Sequence, residues 1–449
     1  MRVVVVGAGV AGLTAAHELA AGGVEVVVVE ASEHLGGKLR LASVAGVTVD
    51  VGAEAMLARR PEGVALAASL GIPVVHPTAA SSRIWTGGEL RPMPPSLMGA
   101  PMDLDALEAS GILSPPGLAA VRREPDVPRP ATPPGADVAV GRLLEERFGA
   151  ELVDTLVEPL LGGVYAGLAR EISLRAAVPQ LAAMLDRSEP LTPQLAAVPR
   201  GAGGPVFAGI DGGMGLLPAR LAAGLEVRVA QPVTALAPTA DGSWAVETPG
   251  ERIVADGVVL ATPAWAAAPL LPGDAAVALS RIEHASVAVI THAFRLDDLD
   301  GLPALDGSVS GFLVPPTDHR DIKASTFSFA KWDWVRAAGA SRGVAHLRTS
   351  VGRHRESALD RSDAELVARS LADLRAATGL AAEPVDTHVQ RWPSGLPQYA
   401  VGHLDLVRSL SQAVEQQPGL VLAGAAYGGV GIPAVIAGAR RAAARLLGR

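Results

Sequence analysis

Cysteine is absent from all 449 residues, which excludes disulfides and thiolate metal sites and is compatible with a reducing cytoplasm. Lysine is nearly absent: it stands only at positions 38, 323 and 331, so 35 of the 38 basic residues are arginine. With 46 acidic residues the formal charge is −8, and no cationic footprint for nucleic acid is present. Aromatic residues make up only 3%, and the ten histidines never form an HExxH metal pattern. No serine sits in a GxSxG elbow. This silence suits an enzyme whose cofactor carries the chemistry.

What is present begins at residue 3. Val3 to Gly12 read VVVVGAGVAG, and a second valine run ends at Glu30, 18 positions after Gly12. This is a βαβ dinucleotide site: an apolar strand, Gly7 for a tight turn, Gly9 for approach of a pyrophosphate, and Gly12 for close helix packing. The start of the helix from Ala11 to Ala21 adds positive partial charge under the phosphates, and Glu30 can hold a ribose hydroxyl. The alternative is a glycine turn that binds nothing, kept for docking another protein.

Two stretches imitate membrane or export signals. Met1 to Leu13 has one arginine before an apolar run, but its glycines and the βαβ pattern argue against a signal peptide. Gly419 to Ala439 carries no charge, yet Tyr427 to Pro433 interrupts it; it reads as a strand, a glycine turn and a helix rather than a span. The expectation is a cytoplasmic protein without a transmembrane segment.

The residues after Glu30 choose the dinucleotide. Gly36-Gly37-Lys38, a short hairpin and then Asp50-Val51-Gly52-Ala53 resemble the flavin signature of the amine oxidase superfamily. The resemblance implies FAD, and the missing cysteine implies that it is held without a covalent link. Beyond Arg60 come a short helix ending at Gly71 and a hairpin turning at Gly87-Gly88. A proline-rich stretch from Pro92 to Pro134 follows, and two amphipathic helices start near Asp137. Their acidic faces imply at most weak peripheral membrane contact. The segment EVRVAQPVTALAPT alternates like a strand, and Ser362 with Glu365 marks a capping box for a helix reaching Thr378.

The match then narrows. Glu158 to Gly167 with Ser173 to Ala176, Val259 to Ala264, Gly311 to Pro315, Arg391-Trp392, Pro397 to Tyr399 and Ala423 to Pro433 resemble, in order, the bacterial protoporphyrinogen and coproporphyrinogen oxidases. The fold implied is α/β with α+β insertions: a Rossmann-like FAD-binding domain, a mixed-sheet substrate domain and a helical subdomain. Its architecture is like that of p-hydroxybenzoate hydroxylase and the amine oxidases. The expected division assigns 1–60, 208–280 and 385–449 to the first, 61–92, 175–207 and 281–384 to the second, and 93–174 to the third.

By position, the implied FAD contacts are Gly7, Ala8, Gly9, Val10, Ala11, Gly12, Glu30, Ala31, Lys38, Gly52, Ala53, Glu54, Ala55, Val233, Trp392, Val430, Gly431 and Ile432. Val233 is expected in a strand beside adenine. His284 and Glu54 stand where the resemblance is looser. The implied reaction is oxygen-dependent, six-electron oxidation of coproporphyrinogen III in haem biosynthesis, with peroxide released and no obligatory catalytic side chain. It is compatible with hand-over of the product to the next haem-pathway enzyme. Coproporphyrinogen is favoured because the arginine and alanine bias fits a GC-rich, actinobacterial genome. Its propionates call for cations, for which Arg59, Arg60, Arg83, Lys323 and Lys331 are candidates, though each also fits a solvated surface charge. Protoporphyrinogen oxidase is the nearest alternative. An amine oxidase, a carotenoid desaturase and a non-enzymatic docking protein are more distant ones.

Overall fold

The computed structural model describes residues 1–128, 133, 135–187, 189–199 and 204–448; the expected helical subdomain and the 175–207 segment both include positions outside these. Four consecutive valines make β1 (Arg2–Val6), with Val3, Val4 and Val5 fully buried, as a parallel strand covered on both faces requires. The chain then enters α1 (Val10–Ala21) and returns in β2 (Glu25–Val29). β1 lies at the centre of a five-stranded parallel sheet, flanked by β2 and Gly257–Leu260; Glu226–Arg228 and Leu420–Leu422 form the edges.

One face of this sheet is covered by α1 and the C-terminal helix Ile432–Leu446 in a shared apolar core that includes Leu13, Leu19, Val435 and Ile436. The other face carries the small antiparallel sheet of Ala235–Pro238, Trp244–Thr248 and Glu251–Ala255. The uncharged 419–439 stretch resolves as expected into a strand, a glycine turn and the start of the terminal helix. No helix among the described residues is long and apolar enough to cross a membrane.

A seven-stranded mixed sheet forms the second layer, in the order Asp386–Pro397, His284–Arg295, Val344–Val351, Ile322–Phe327, Val309–Leu313, Ser81–Thr86 and Glu89–Pro92. Helix Asp363–Thr378 backs it. Its capping box is formed, and Gly379 ends it in the left-handed region at φ 77°. A helical body from Leu104 to Ala196 makes the third unit, around Leu144, Phe148, Leu156 and Leu161.

Packing redraws three expected boundaries. Strand Asp386–Pro397 hydrogen-bonds along His284–Arg295, so it belongs to the seven-stranded sheet and not to the nucleotide side. Leu174, Val178, Leu181, Leu191 and Leu195 bury their side chains in the helical body rather than in the substrate sheet. Helix Pro61–Ser69 places Leu66 and Ala67 in the core beneath the parallel sheet. In each case apolar side chains follow the nearest unfilled core, which local pattern does not reveal.

Candidate flavin site

The glycines of the opening motif meet different needs. Gly7 turns the chain at φ 103°, and a Cβ there would stand 3.1 Å from the Ala261 carbonyl oxygen. At Gly12 a Cβ would fall 1.9 Å from the Gly7 carbonyl oxygen, so a side chain cannot be accommodated without moving backbone. Nothing lies within 4 Å of a Cβ on Gly9. The space in front of Gly9, at the N-terminus of α1, is therefore a cradle open to an anion.

Glu30 closes the base of this cradle. Its carboxylate accepts from the Ala8 amide at 2.7 Å and the Ser32 amide at 2.9 Å, which pins Ala31 and its neighbours against the first turn. The following loop is stitched in: Gly36 donates to the Ala8 carbonyl at 2.8 Å, and Ala53 to the Lys38 carbonyl at 2.9 Å. Gly52 fits so tightly that a Cβ would meet the Lys38 carbonyl oxygen at 2.0 Å and the Trp392 ring at 3.2 Å. Lys38 itself is half-buried, and burial lowers its pKa. Burial, assisted by the Lys38 charge, brings His284 down to about 4, so its imidazole is neutral at physiological pH.

The other end of the chain completes the cavity wall. Tyr399 Oη donates to the Ala425 carbonyl at 2.6 Å and accepts from the Gly429 amide at 2.8 Å. These bonds fix the turn through Val430 and Gly431, where the terminal helix starts with Pro433 in its first turn. Val430 packs against the helical body, and Trp392 against Ala166, Ala285 and Val287. All three units thus converge beside the nucleotide cradle.

Glu54 has a different neighbourhood from the glycines. It accepts from Lys331 Nζ at 2.6 Å and from Arg348 Nη1 at 2.7 Å, while Arg348 Nη2 donates to the Gly52 carbonyl at 2.6 Å. Burial works to raise its pKa, but Lys331 and then Arg348 prevail and hold it at about 2. Asp50, the last residue of strand Val47–Asp50, accepts from the Met214 and Gly215 amides and anchors the glycine-rich 212–215 turn.

Of the residues expected to contact a dinucleotide, Ala8 is hydrogen-bonded to Glu30 and Ala53 to Lys38, and Gly52 adjoins the Trp392 ring, while Ala8, Ala11, Gly12 and Ile432 are buried and Val430 to Ile432 lead into the terminal helix. Val233 is a correction in conformation: it lies between strands Glu226–Arg228 and Ala235–Pro238, not within one. Pro232 accounts for the break, since it cannot donate to a ladder.

The five cations proposed for substrate do not form a ring. Arg59 and Arg60 are exposed, with Arg60 paired to Glu62 at 2.6 Å. Arg83 lies on strand Ser81–Thr86 near the edge of the seven-stranded sheet. Lys331 is committed to Glu54, and Lys323 is buried. Sequence reading missed Arg348 and Tyr399. The signals were a lone arginine inside the apolar strand VAHLRTSV, and a tyrosine in a chain that has three.

A separate cavity of about 490 Å³ opens on the helical body between Arg142, Glu146 and Val401. The residues that line it include none from the nucleotide cradle, and the chemistry described above does not use it. Among the described residues no cluster of histidine and acidic side chains could hold a metal.

Comparison with known proteins agrees with this geometry. The profile of the family "Flavin containing amine oxidoreductase" matches residues 10–447. The coproporphyrinogen III oxidase of Mycobacterium tuberculosis is 38% identical over 452 residues, covering 98% of this chain and 95% of that protein. The protoporphyrinogen oxidase of Bos taurus is 32% identical, with 99% and 98% covered. A solved structure of a candidate protoporphyrinogen oxidase from Exiguobacterium superposes with a TM-score of 0.88 at 30% identity, covering 99% of this chain and 98% of that one. A glycine cradle closed from both ends of the chain and similarity over nearly its whole length lead to one conclusion: this protein belongs to the flavin-containing amine oxidoreductase family, in the group that includes the coproporphyrinogen III oxidases.

Proposed function

We propose that the protein oxidises coproporphyrinogen III to coproporphyrin III, with FAD held non-covalently, molecular oxygen as acceptor and hydrogen peroxide as product. The observation that carries this reading is the near full-length similarity to named coproporphyrinogen III oxidases, joined to the glycine cradle of this chain. The open face of Gly9 and the start of α1 suit a pyrophosphate, and Glu30 retains acceptor capacity toward a ribose hydroxyl. The start of the terminal helix offers amides and positive partial charge to the electron-poor end of a flavin ring. With no cysteine in the chain, a thioether tether has no donor.

When bound, flavin would supply the redox chemistry, three two-electron oxidations that take a porphyrinogen to a porphyrin. The protein's part is to orient and exclude. Trp392, Ala166, Val287 and Val430 give apolar walls that keep water from the reacting centre. Neutral His284 adds no positive charge beside Lys38. The similarity to the bovine enzyme keeps protoporphyrinogen IX as the second substrate to compare.

The test uses the purified protein. Its visible spectrum should show flavin bands, and acid denaturation should release FAD into the supernatant. Each porphyrinogen is then added in air while porphyrin fluorescence and peroxide are recorded. Faster turnover of coproporphyrinogen III supports the reading; no gain over spontaneous oxidation with either substrate defeats it.

A further inference from the structure

Two buried cations stand close together outside the flavin cradle. Lys323, in strand Ile322–Phe327, and Arg353, just past strand Val344–Val351, are each 7% exposed. Among the described residues the Lys323 ammonium has neither a hydrogen bond nor an ion pair. The Arg353 guanidinium has one hydrogen bond, a long one of 3.3 Å to the Val314 carbonyl, and lies 3.7 Å from Glu356, which is 45% exposed. Val314 joins the two, because its amide also donates to the Lys323 carbonyl at 2.9 Å.

Of the acids near this pair, Glu356 faces Arg353 from a half-exposed position and Glu158 is engaged elsewhere. Glu356 accepts from the Arg353 backbone amide at 2.8 Å. Glu158 accepts from the Ala169 amide at 2.9 Å and faces Arg170 at 3.7 Å. Burial, with the charge of Arg353 added, pushes Lys323 down to about 7. Two like charges largely withdrawn from water and short of partners disfavour the folded state unless an anion joins them.

Their location suits an anion that belongs to a larger apolar molecule. They lie where the seven-stranded sheet meets helix Glu158–Tyr165 of the helical body. There the His354 amide donates to the Ala166 carbonyl, and Leu313 packs beside Gly163. Ala166 also touches the Trp392 cluster, which links this seam to the flavin side.

We propose that Lys323 and Arg353 form a buried carboxylate-binding site at this seam, and that it takes a propionate of the porphyrinogen. The inference rests on the functional reading above and assigns one end of the substrate to named residues. Neither cation touches the reacting carbon, so both act in binding and specificity.

The experiment uses flavin-loaded wild type, Lys323→Met and Lys323→Arg. Coproporphyrin III is titrated into each and followed by fluorescence quenching, and steady-state oxidation of coproporphyrinogen III is measured alongside. Loss of one charge-assisted contact should raise both Kd and KM by about 10- to 100-fold in Lys323→Met and leave kcat little changed, while Lys323→Arg retains most of the affinity. The ligand-free Lys323→Met protein should unfold at the same or a higher temperature, since an unpaired buried charge is gone. A Kd and KM indistinguishable from wild type overturn the site. If wild type neither binds nor oxidises the porphyrins, it is the functional reading that fails. Should Lys323→Met not load flavin, neutral Lys323→Gln is measured in its place.

Discussion

Replacing Glu54 by glutamine would show how much stability depends on one anion placed between two cations. Lys331 and Arg348 contact its two carboxylate oxygens, at 2.6 and 2.7 Å, and the acid is only 12% exposed in its side chain. Its folded pKa of about 2, against an ordinary value of 4.5, corresponds to about 3 kcal/mol of folding free energy. Because the folded value is the lower one, this contribution is complete above about pH 4.5 and disappears as the pH falls toward 2.

Glutamine keeps the shape but leaves Lys331 and Arg348 without a counter-charge, and removing one partner of a buried ion pair costs about 3 to 5 kcal/mol. Urea unfolding of the flavin-loaded variant at neutral pH should lose about 3 kcal/mol, and its stability should fall less steeply than that of wild type between about pH 5 and 3. Adding Lys331→Met should return part of the loss, since the two sites are in contact and do not add independently. A loss under about 1 kcal/mol, the value of an exposed pair, or an unchanged acid profile would refute the argument.

Other outcomes follow from the cradle itself. Gly12→Ala puts a methyl group 1.9 Å from the Gly7 carbonyl oxygen, so the variant should purify without flavin bands and melt at lower temperature; retention of full flavin content would overturn the assigned close packing. Tyr399→Phe removes a donor to Ala425 and an acceptor for Gly429, and should cost about 1 to 3 kcal/mol and weaken flavin retention on dilution. Equal flavin dissociation rates for the two proteins would show that the turn holds without the hydroxyl.

How much was legible in the sequence depends on how local each cause is. The valine strand, Gly7, Gly9, Gly12, the Gly87-Gly88 hairpin and the Ser362 capping box are short-range devices whose geometry is set within a few residues, and each stands where the sequence puts it. Val233 went astray because an alternating pattern outweighed the proline beside it. Lys331 ends the short helix Ser328–Lys331 and Arg348 lies in strand Val344–Val351, while the acid they share, Glu54, arrives from a segment 277 and 294 residues earlier. The unit boundaries failed for the same reason: which core receives Leu174 or strand Asp386–Pro397 is decided by neighbours in space.

The parallel sheet draws its five strands from residues near 2, 25, 226, 257 and 420. During synthesis on the ribosome, β1 and β2 emerge at the start, yet the edge strand Leu420–Leu422 and the helix that covers Leu13 and Leu19 appear only after some four hundred further residues. Nascent chains therefore carry a glycine loop that lacks its roof until those residues have been made. Such long-range closure is slow, because ends so far apart in the chain must first find one another. Flavin capture in the cell should accordingly be a late event, and a chain cut short before residue 420 should leave the ribosome unable to retain the cofactor.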